Sequence, residues 1–273
     1  MEQLRQMGWT ERDNLEVERR VGESPQQLRK HAAELVRLRV DLIVTLLTPA
    51  VLAARDVTDR VPIVMFGAAV DPVSGGLVRS FTDPGGNITG ITVPGVHLAN
   101  KSLELISQLR APTKVVGVLA NRSDPFTQAL LGNLSEAAQR LHIRLSIRSV
   151  GDADEYTAAF STWATSKVDA VFVQPTLATN TAAALALSHR LPSFSFVRSF
   201  AAFGGLLSYA ADRGELARRA ADYVDRILRG ATPARLPIEQ VKNYDLSVNL
   251  RTAKALGVVV PGSILLRATE VLE

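Results

Sequence analysis

Six short polar loops hold the residues best suited to recognise a small molecule. They contain Thr48-Pro49, Gly67 to Pro72, Asn121 to Pro125, Gln174-Pro175-Thr176, Arg198-Ser199 and Ser208-Tyr209. Several lead straight into a helical pattern. A helix start presents free N–H groups and a partial positive charge, which suits a carboxylate or another anion. Thr48 adds a hydroxyl donor, or it caps its helix, as Ser123 and Asp124 can do. Arg198 can hold a ligand carboxylate, or form an ion pair within the protein. Asp71 can receive a ligand ammonium group, or serve the Asp71-Pro72 turn. Tyr209 can stack on a ligand or fill the core at a strand end.

Recognisable catalytic motifs are missing. The sequence has no Gly-x-Ser-x-Gly elbow, no phosphate loop ending in Gly-Lys-Ser/Thr and no Gly-x-Gly-x-x-Gly. Its four histidines, His31, His97, His142 and His189, stand singly, and no pair has metal-ligand spacing. There is no cysteine, which removes disulfides, thiol nucleophiles and thiolate metal sites. Two-carboxylate chemistry stays open, because its partners can be far apart in sequence. The expectation is a binding protein without a catalytic residue, cofactor or metal.

Composition agrees with a folded core. Of 273 residues, 47% are hydrophobic and 21% charged, so the chain can bury a substantial interior. Aromatics are only 5%, leaving small aliphatics to fill the layers. The net charge of +4 does not mark a nucleic-acid surface, because Arg and Lys are interleaved with Asp and Glu. No apolar run has the length of a membrane span.

The elements that must position these loops alternate between strand-like and helix-like patterns, as parallel βαβ units do. Leu15–Glu18 alternates like a half-exposed strand. Pro25–Arg39 has apolar residues at helical spacing, with Ser24 as cap and Pro25 in the first turn. Asp41–Leu47 is a continuous apolar run that suits a strand buried on both faces. Strands are also expected at Pro62–Phe66, Ile88–Thr92, Lys114–Ala120, Arg144–Val150, Ala170–Gln174, Leu206–Tyr209 and Asp245–Asn249. Helices are expected from Thr48 to Thr58, over Gly95–Leu109 with Ala111-Pro112 ending it, and in the intervals of the second block. The pattern divides into two α/β blocks. Residues 1–93, with about 235–257 returning, form the first. Residues 97–232, with about 258–273 joining, form the second.

The stretches "ELVRLRVDLIVTLLTPAVLAARDVT", "PIVMFGAAVDPVSGGLVRSFTDPGGNITGIT", "KSLELISQL", "GGLLSYAAD" and "NLRTAKALGVVVPGSILLRATEVLE" resemble the ABC transporter substrate-binding proteins, in the group with tryptophan- and tyrosine-binding members. The resemblance spans nearly the whole chain. The string Asp83-Pro-Gly-Gly-Asn-Ile-Thr-Gly90 followed downstream by Leu207-Ser-Tyr209 is its most specific part. It implies a type I periplasmic-binding-protein-like α/β fold: two Rossmann-like lobes with parallel sheets, joined by a hinge and closing on a ligand.

By position, the resemblance places Thr48, Asp71, Asn121, Gln174, Arg198 and Ser208 in ligand-facing loops. Two places depart from the family pattern. Ser195 stands where relatives commonly carry tyrosine, and Asn121-Arg-Ser-Asp124-Pro125 stands for Asn-Pro-x-Asn-Pro. The resemblance also implies that Met1 falls inside the first helix, so that the first sheet lacks its first strand. In the usual 2-1-3-4-5 order that leaves a gap at the sheet's centre. It implies a chain truncated at its N-terminus, or assigned a late start.

The function implied is that of an extracytoplasmic, periplasmic solute-binding component of an ABC importer. Its ligand would be an amino acid or similar small carboxylate, its partner a membrane permease, and nucleic acid plays no part. Two other classes remain at this stage: a sensory or regulatory ligand-binding domain, and an enzyme on a similar scaffold.

Overall fold

The computed structural model describes residues 1–22, 24–109, 112–151 and 154–273. In chain order the elements begin with α1 (Glu2–Gln6), α2 (Pro25–Arg37), β1 (Ile43–Leu46), α3 (Leu47–Arg55), β2 (Ile63–Ala68) and β3 (Ile88–Thr92). Then come α4 (Gly95–Leu109), β4 (Val115–Asn121), α5 (Phe126–Arg140), β5 (Arg144–Val150), α6 (Asp154–Thr165) and β6 (Ala170–Val173). They continue with α7 (Asn180–Ser188), β7 (Ser193–Ser195), α8 (Ser199–Ala202), β8 (Leu207–Ala211) and α9 (Arg213–Leu228). The chain finishes with β9 (Glu239–Gln240), β10 (Tyr244–Asn249), α10 (Leu250–Leu256), α11 (Gly262–Leu265) and β11 (Glu270–Leu272).

These elements form two compact units. The first holds Met1–Pro94 and Asp212–Lys242, the second Gly95–Ala211 and Asn243–Glu273. The chain therefore passes between them three times.

In the first unit the sheet runs β1-β2-β3-β9, all parallel. Helix α2 starts where Ser24 Oγ accepts from the Gln27 amide, and Pro25 needs no donor there. Ala32, Val51 and Ala54 of α2 and α3 pack with Ile43, Ile63 and Met65 of the sheet. Helix α9 lays Leu216, Ala220, Tyr223, Val224 and Ile227 inward as a stripe and packs on β2 and β3. Strands β2 and β3 approach closely at Gly90, where a Cβ would stand 2.5 Å from the Met65 backbone nitrogen and oxygen. Its φ of +118° is also one that only glycine takes freely.

The second unit has a seven-stranded sheet in the order β11-β10-β8-β7-β6-β4-β5. Strands β5, β4, β6, β7 and β8 are parallel. Strand β10 lies antiparallel to β8, and β11 parallel to β10. The strand order reverses between β4 and β6, the point in such sheets where ligands bind beyond the carboxyl ends. The core gathers Phe160, Trp163, Val171, Val173 and Phe200. Trp163 sits where Gly117 leaves room, and its Nε1 donates to Ser146.

The α/β class and parallel sheets match the expectation, but three details differ. Leu15–Glu18 forms no strand, having no neighbour to pair with, and Leu15 makes only an isolated bridge to Glu11. Strand β1 is an edge of the described sheet, with β2 its one partner. As a consequence β1 is not buried on both faces: Val44 is 48% and Leu46 61% exposed. The unit boundaries also shift. Helix α9 belongs to the first unit because its stripe matches β2 and β3, while β10 pairs with β8 and takes residues 243–257 into the second. Ala111, read as closing α4 with Pro112, lies outside the described residues.

Candidate functional site

At the switch point of the second unit, the loops after β4 and β6 are tied together by buried hydrogen bonds. Gln174, wholly buried, is the centre. Its Oε1 accepts from the Asn121 amide at 2.9 Å, and the Thr127 hydroxyl stands 3.0 Å away. Its Nε2 donates to Asp124 Oδ2 at 2.9 Å. The same Oδ2 accepts from the Thr176 hydroxyl at 3.2 Å, and Oδ1 accepts from the Phe126 amide at 3.0 Å. Asn121 Nδ2 donates to Thr176 Oγ1 at 3.0 Å, and its Oδ1 accepts from the Ser123 amide. Burial pushes the Asp124 carboxyl above the usual range, and the three donors it accepts from oppose that.

This network explains the local path of the chain. Strand β4 ends in Asn121, which bonds forward to Ser123 and sideways to β6's loop. Pro175 then starts a single tight turn over Pro175–Leu177, so Thr176 faces back toward Asp124. A closed polar network in a buried setting fixes loop geometry, because each lost partner leaves another group unsatisfied.

A second polar cluster lies at the carboxyl end of β7, beside the start of β8 and the neighbouring β10 and β11. Arg198 NH1 donates to Asp245 Oδ2 at 2.6 Å, and NH2 stands 3.5 Å from Glu270 Oε2. Ser247 Oγ donates to Glu270 Oε2 at 2.8 Å, and Ser208 Oγ donates to the Arg198 carbonyl at 3.1 Å. In register across the sheet stand Ser195, Ser208, Ser247 and Glu270. Ser195 Oγ is buried without a hydrogen-bond partner among the described residues. Nearby, Tyr209 and Tyr244 stack with ring centres 5.6 Å apart, and His97 lies 6.2 Å from Tyr244.

In the first unit, the carboxyl ends of β1 and β2 are joined through Thr48. Its buried hydroxyl accepts from the Ala69 and Val70 amides at 3.2 and 3.3 Å. Thr48 therefore does not cap α3; it bonds across to the next loop. Asp71 folds its own turn, Oδ1 accepting from the Val73 and Ser74 amides and from the Ser74 hydroxyl.

Five of the six residues read from the sequence lie at a strand's carboxyl end or just after it; Ser208 instead stands near the amino end of β8, in register with Ser195 at the carboxyl end of β7. Asn121 and Gln174 are brought together, as are Arg198 and Ser208, and Thr48 in α3 bonds to the loop after β2 that carries Asp71. Sequence reading missed Asp124 as the hub, since a cap and a hub look alike there. It also missed Asp245 and Glu270, which are 47 and 72 residues from Arg198 and carry no local signal. Among the described residues no three His, Cys, Asp or Glu side chains group as a metal site would. Among the described residues no helix is long and apolar enough to cross a membrane.

Comparison with known proteins matches residues 1–272 to the family described as ABC transporter substrate binding protein. A protein of Clostridioides difficile named tyrosine-binding protein is 25% identical over 259 residues, covering 93% of this chain and 74% of that protein. A conserved domain protein from Vibrio cholerae superposes with a TM-score of 0.89 at 27% identity, over 99% of this chain and 92% of that one. A structure from Streptococcus pneumonia, described as the ABC domain in complex with L-Trp, gives 0.88 at 24% identity over the same shares.

Proposed function

The chain belongs to the ABC transporter substrate-binding protein family, and from that premise we propose that it is the extracytoplasmic solute-binding component of an ABC importer. It takes an amino acid or similar small carboxylate, and it performs no chemistry on it. The observation that carries this reading is the interlocked pair of loops at the switch point of the second unit, a built and rigid mouth where ligands of such sheets bind. The names of two relatives, one tyrosine-binding and one complexed with L-Trp, support the amino-acid class.

Six residues take roles in this proposal. Asp71 meets the ligand ammonium, and Arg198 meets its carboxylate by exchanging part of its pairing with Asp245 and Glu270. Thr48, Asn121, Gln174 and Ser208 hold the loops that present these charges. The three chain crossings between the units act as a hinge. A ligand that contacts both units favours the closed form by its differential affinity for it. The closed, loaded protein then delivers the solute to a membrane permease from the periplasmic side.

A thermal-shift screen of the twenty amino acids identifies the ligand. At a hundredfold excess over Kd, binding stabilises by about 2.7 kcal/mol. Small-angle scattering then tests closure. The radius of gyration should fall on saturation with the amino acid that stabilises most. An unchanged radius at saturation would remove hinge closure from the proposal.

A further inference from the structure

Leu47 has a φ of +64°. That region suits glycine and is strained for a leucine. Five other non-glycine residues share it: Arg12 in a surface turn, and Arg39, Lys167, His142 and Arg190 just past the ends of α2, α6, α5 and α7. A left-handed residue after a helix is an ordinary way to end one. Among the described residues, Leu47 alone has this conformation at a helix start.

Neither packing nor capping accounts for a leucine there. Leu47 is half-exposed and is absent from the core that Ile43, Val51 and Ile63 build around it. Helix α3 has no side-chain cap; Leu46 precedes it and is 61% exposed. Thr48, which could have capped, is turned inward to Ala69 and Val70. Glycine would meet the backbone requirement without strain. The chain instead keeps a bulky apolar side chain at the carboxyl end of β1, half-exposed, between the exposed Leu46 and Thr48, whose hydroxyl bonds to the loop after β2. That edge is where parallel sheets receive ligands.

We propose that Leu47 is a specificity-determining residue: it contacts the apolar side chain of the ligand and selects amino acids that carry one. The inference rests on the amino-acid-binding reading above and deepens it. Polar and charged groups elsewhere, Asp71 and Arg198, serve the ammonium and carboxylate common to all amino acids. Leu47 reads what differs among them.

Calorimetric titration of wild type, L47G and L47N with leucine, phenylalanine, tyrosine, tryptophan, serine and asparagine tests this. Glycine and asparagine both accept a positive φ, so the fold is kept, and ligand-free melting temperatures no lower than wild type confirm it. The expected result is that wild type prefers the apolar ligands. In both variants their Kd should rise about tenfold, while serine and asparagine change less than about twofold. Equal Kd values in wild type and variants, an equal loss for polar and apolar ligands, or a wild-type preference for serine and asparagine would overturn the inference alone. A wild-type chain that binds none of the six overturns the amino-acid reading, and this inference with it.

Discussion

Replacing Gln174 by Glu changes one atom of the buried network and reverses its electrostatics. The glutamine Nε2 donates to Asp124 Oδ2 at 2.9 Å. A glutamate would place a second carboxyl oxygen there, facing the first, with neither able to donate unless one is protonated. Holding a carboxyl protonated at pH 7.5, about three units above its ordinary value, costs about 4 kcal/mol. Burial already raises Asp124, which lowers that figure, so the expected loss is about 2–4 kcal/mol at neutral pH. A shared proton restores the bond in acid. The pair's folded-state affinity for that proton exceeds its unfolded affinity. The stabilisation is therefore present below the unfolded carboxyl range and is lost as pH rises. The gap between Q174E and wild type should shrink by up to about 1.4 kcal/mol per pH unit as pH falls from 8 toward 5. Urea unfolding of both chains across that range measures it. A gap that stays constant with pH, or no destabilisation at pH 8, would refute the hydrogen-bond assignment at the switch point.

Other outcomes follow from single contacts. G90A should lose at least about 3 kcal/mol, because the new methyl group meets Met65 backbone atoms at 2.5 Å and cannot displace them; unfolding midpoints that match wild type would count against the β2–β3 approach. The double change V44T and L46T should reduce aggregation measured by light scattering while altering stability by less than about 1 kcal/mol, since both side chains are exposed on an edge strand. R198A should raise the Kd of a carboxylate ligand by about 10–100-fold with R198K intermediate; an affinity unchanged in R198A would leave Arg198 to its ion pair with Asp245 alone.

Local patterns made much of the fold legible. Strands β3 and β5 and helix α4 fall where alternation, apolar runs and turn residues put them. Ser24-Pro25 marks the start of α2 because the cap and the first-turn proline act within four residues. What failed depended on distant partners. Strand β7, Ser193–Ser195, has no strand-like composition and exists because β6 and β8 pair with it on both sides. Leu15–Glu18 has a strand's alternation but no neighbour. The stripe on α9 predicts a helix, yet nothing local says which sheet receives it, and the expected unit boundary was misplaced for that reason.

The candidate site shows the same division. Loops after apolar runs are visible in sequence, so the mouths could be found. Their bonding is not visible. Thr48 reads as a cap and instead bonds 21 and 22 residues ahead. Asp124 reads as a cap and is the hub for Gln174 and Thr176, 50 and 52 residues away. Arg198 reads as a partner for a ligand carboxylate or for an ion pair, and only the fold names Asp245, 47 residues away, as a carboxylate it holds.

The central claim is that this chain binds an amino acid or similar small carboxylate and returns it unchanged. The direct measurement is an equilibrium titration by calorimetry with the amino acid that most raises the melting temperature, followed by recovery of the ligand. One molecule bound per chain and a ligand recovered chemically intact is the predicted result. A ligand consumed at a measurable rate, or no heat and no stabilisation from any amino acid or small carboxylate, would contradict it.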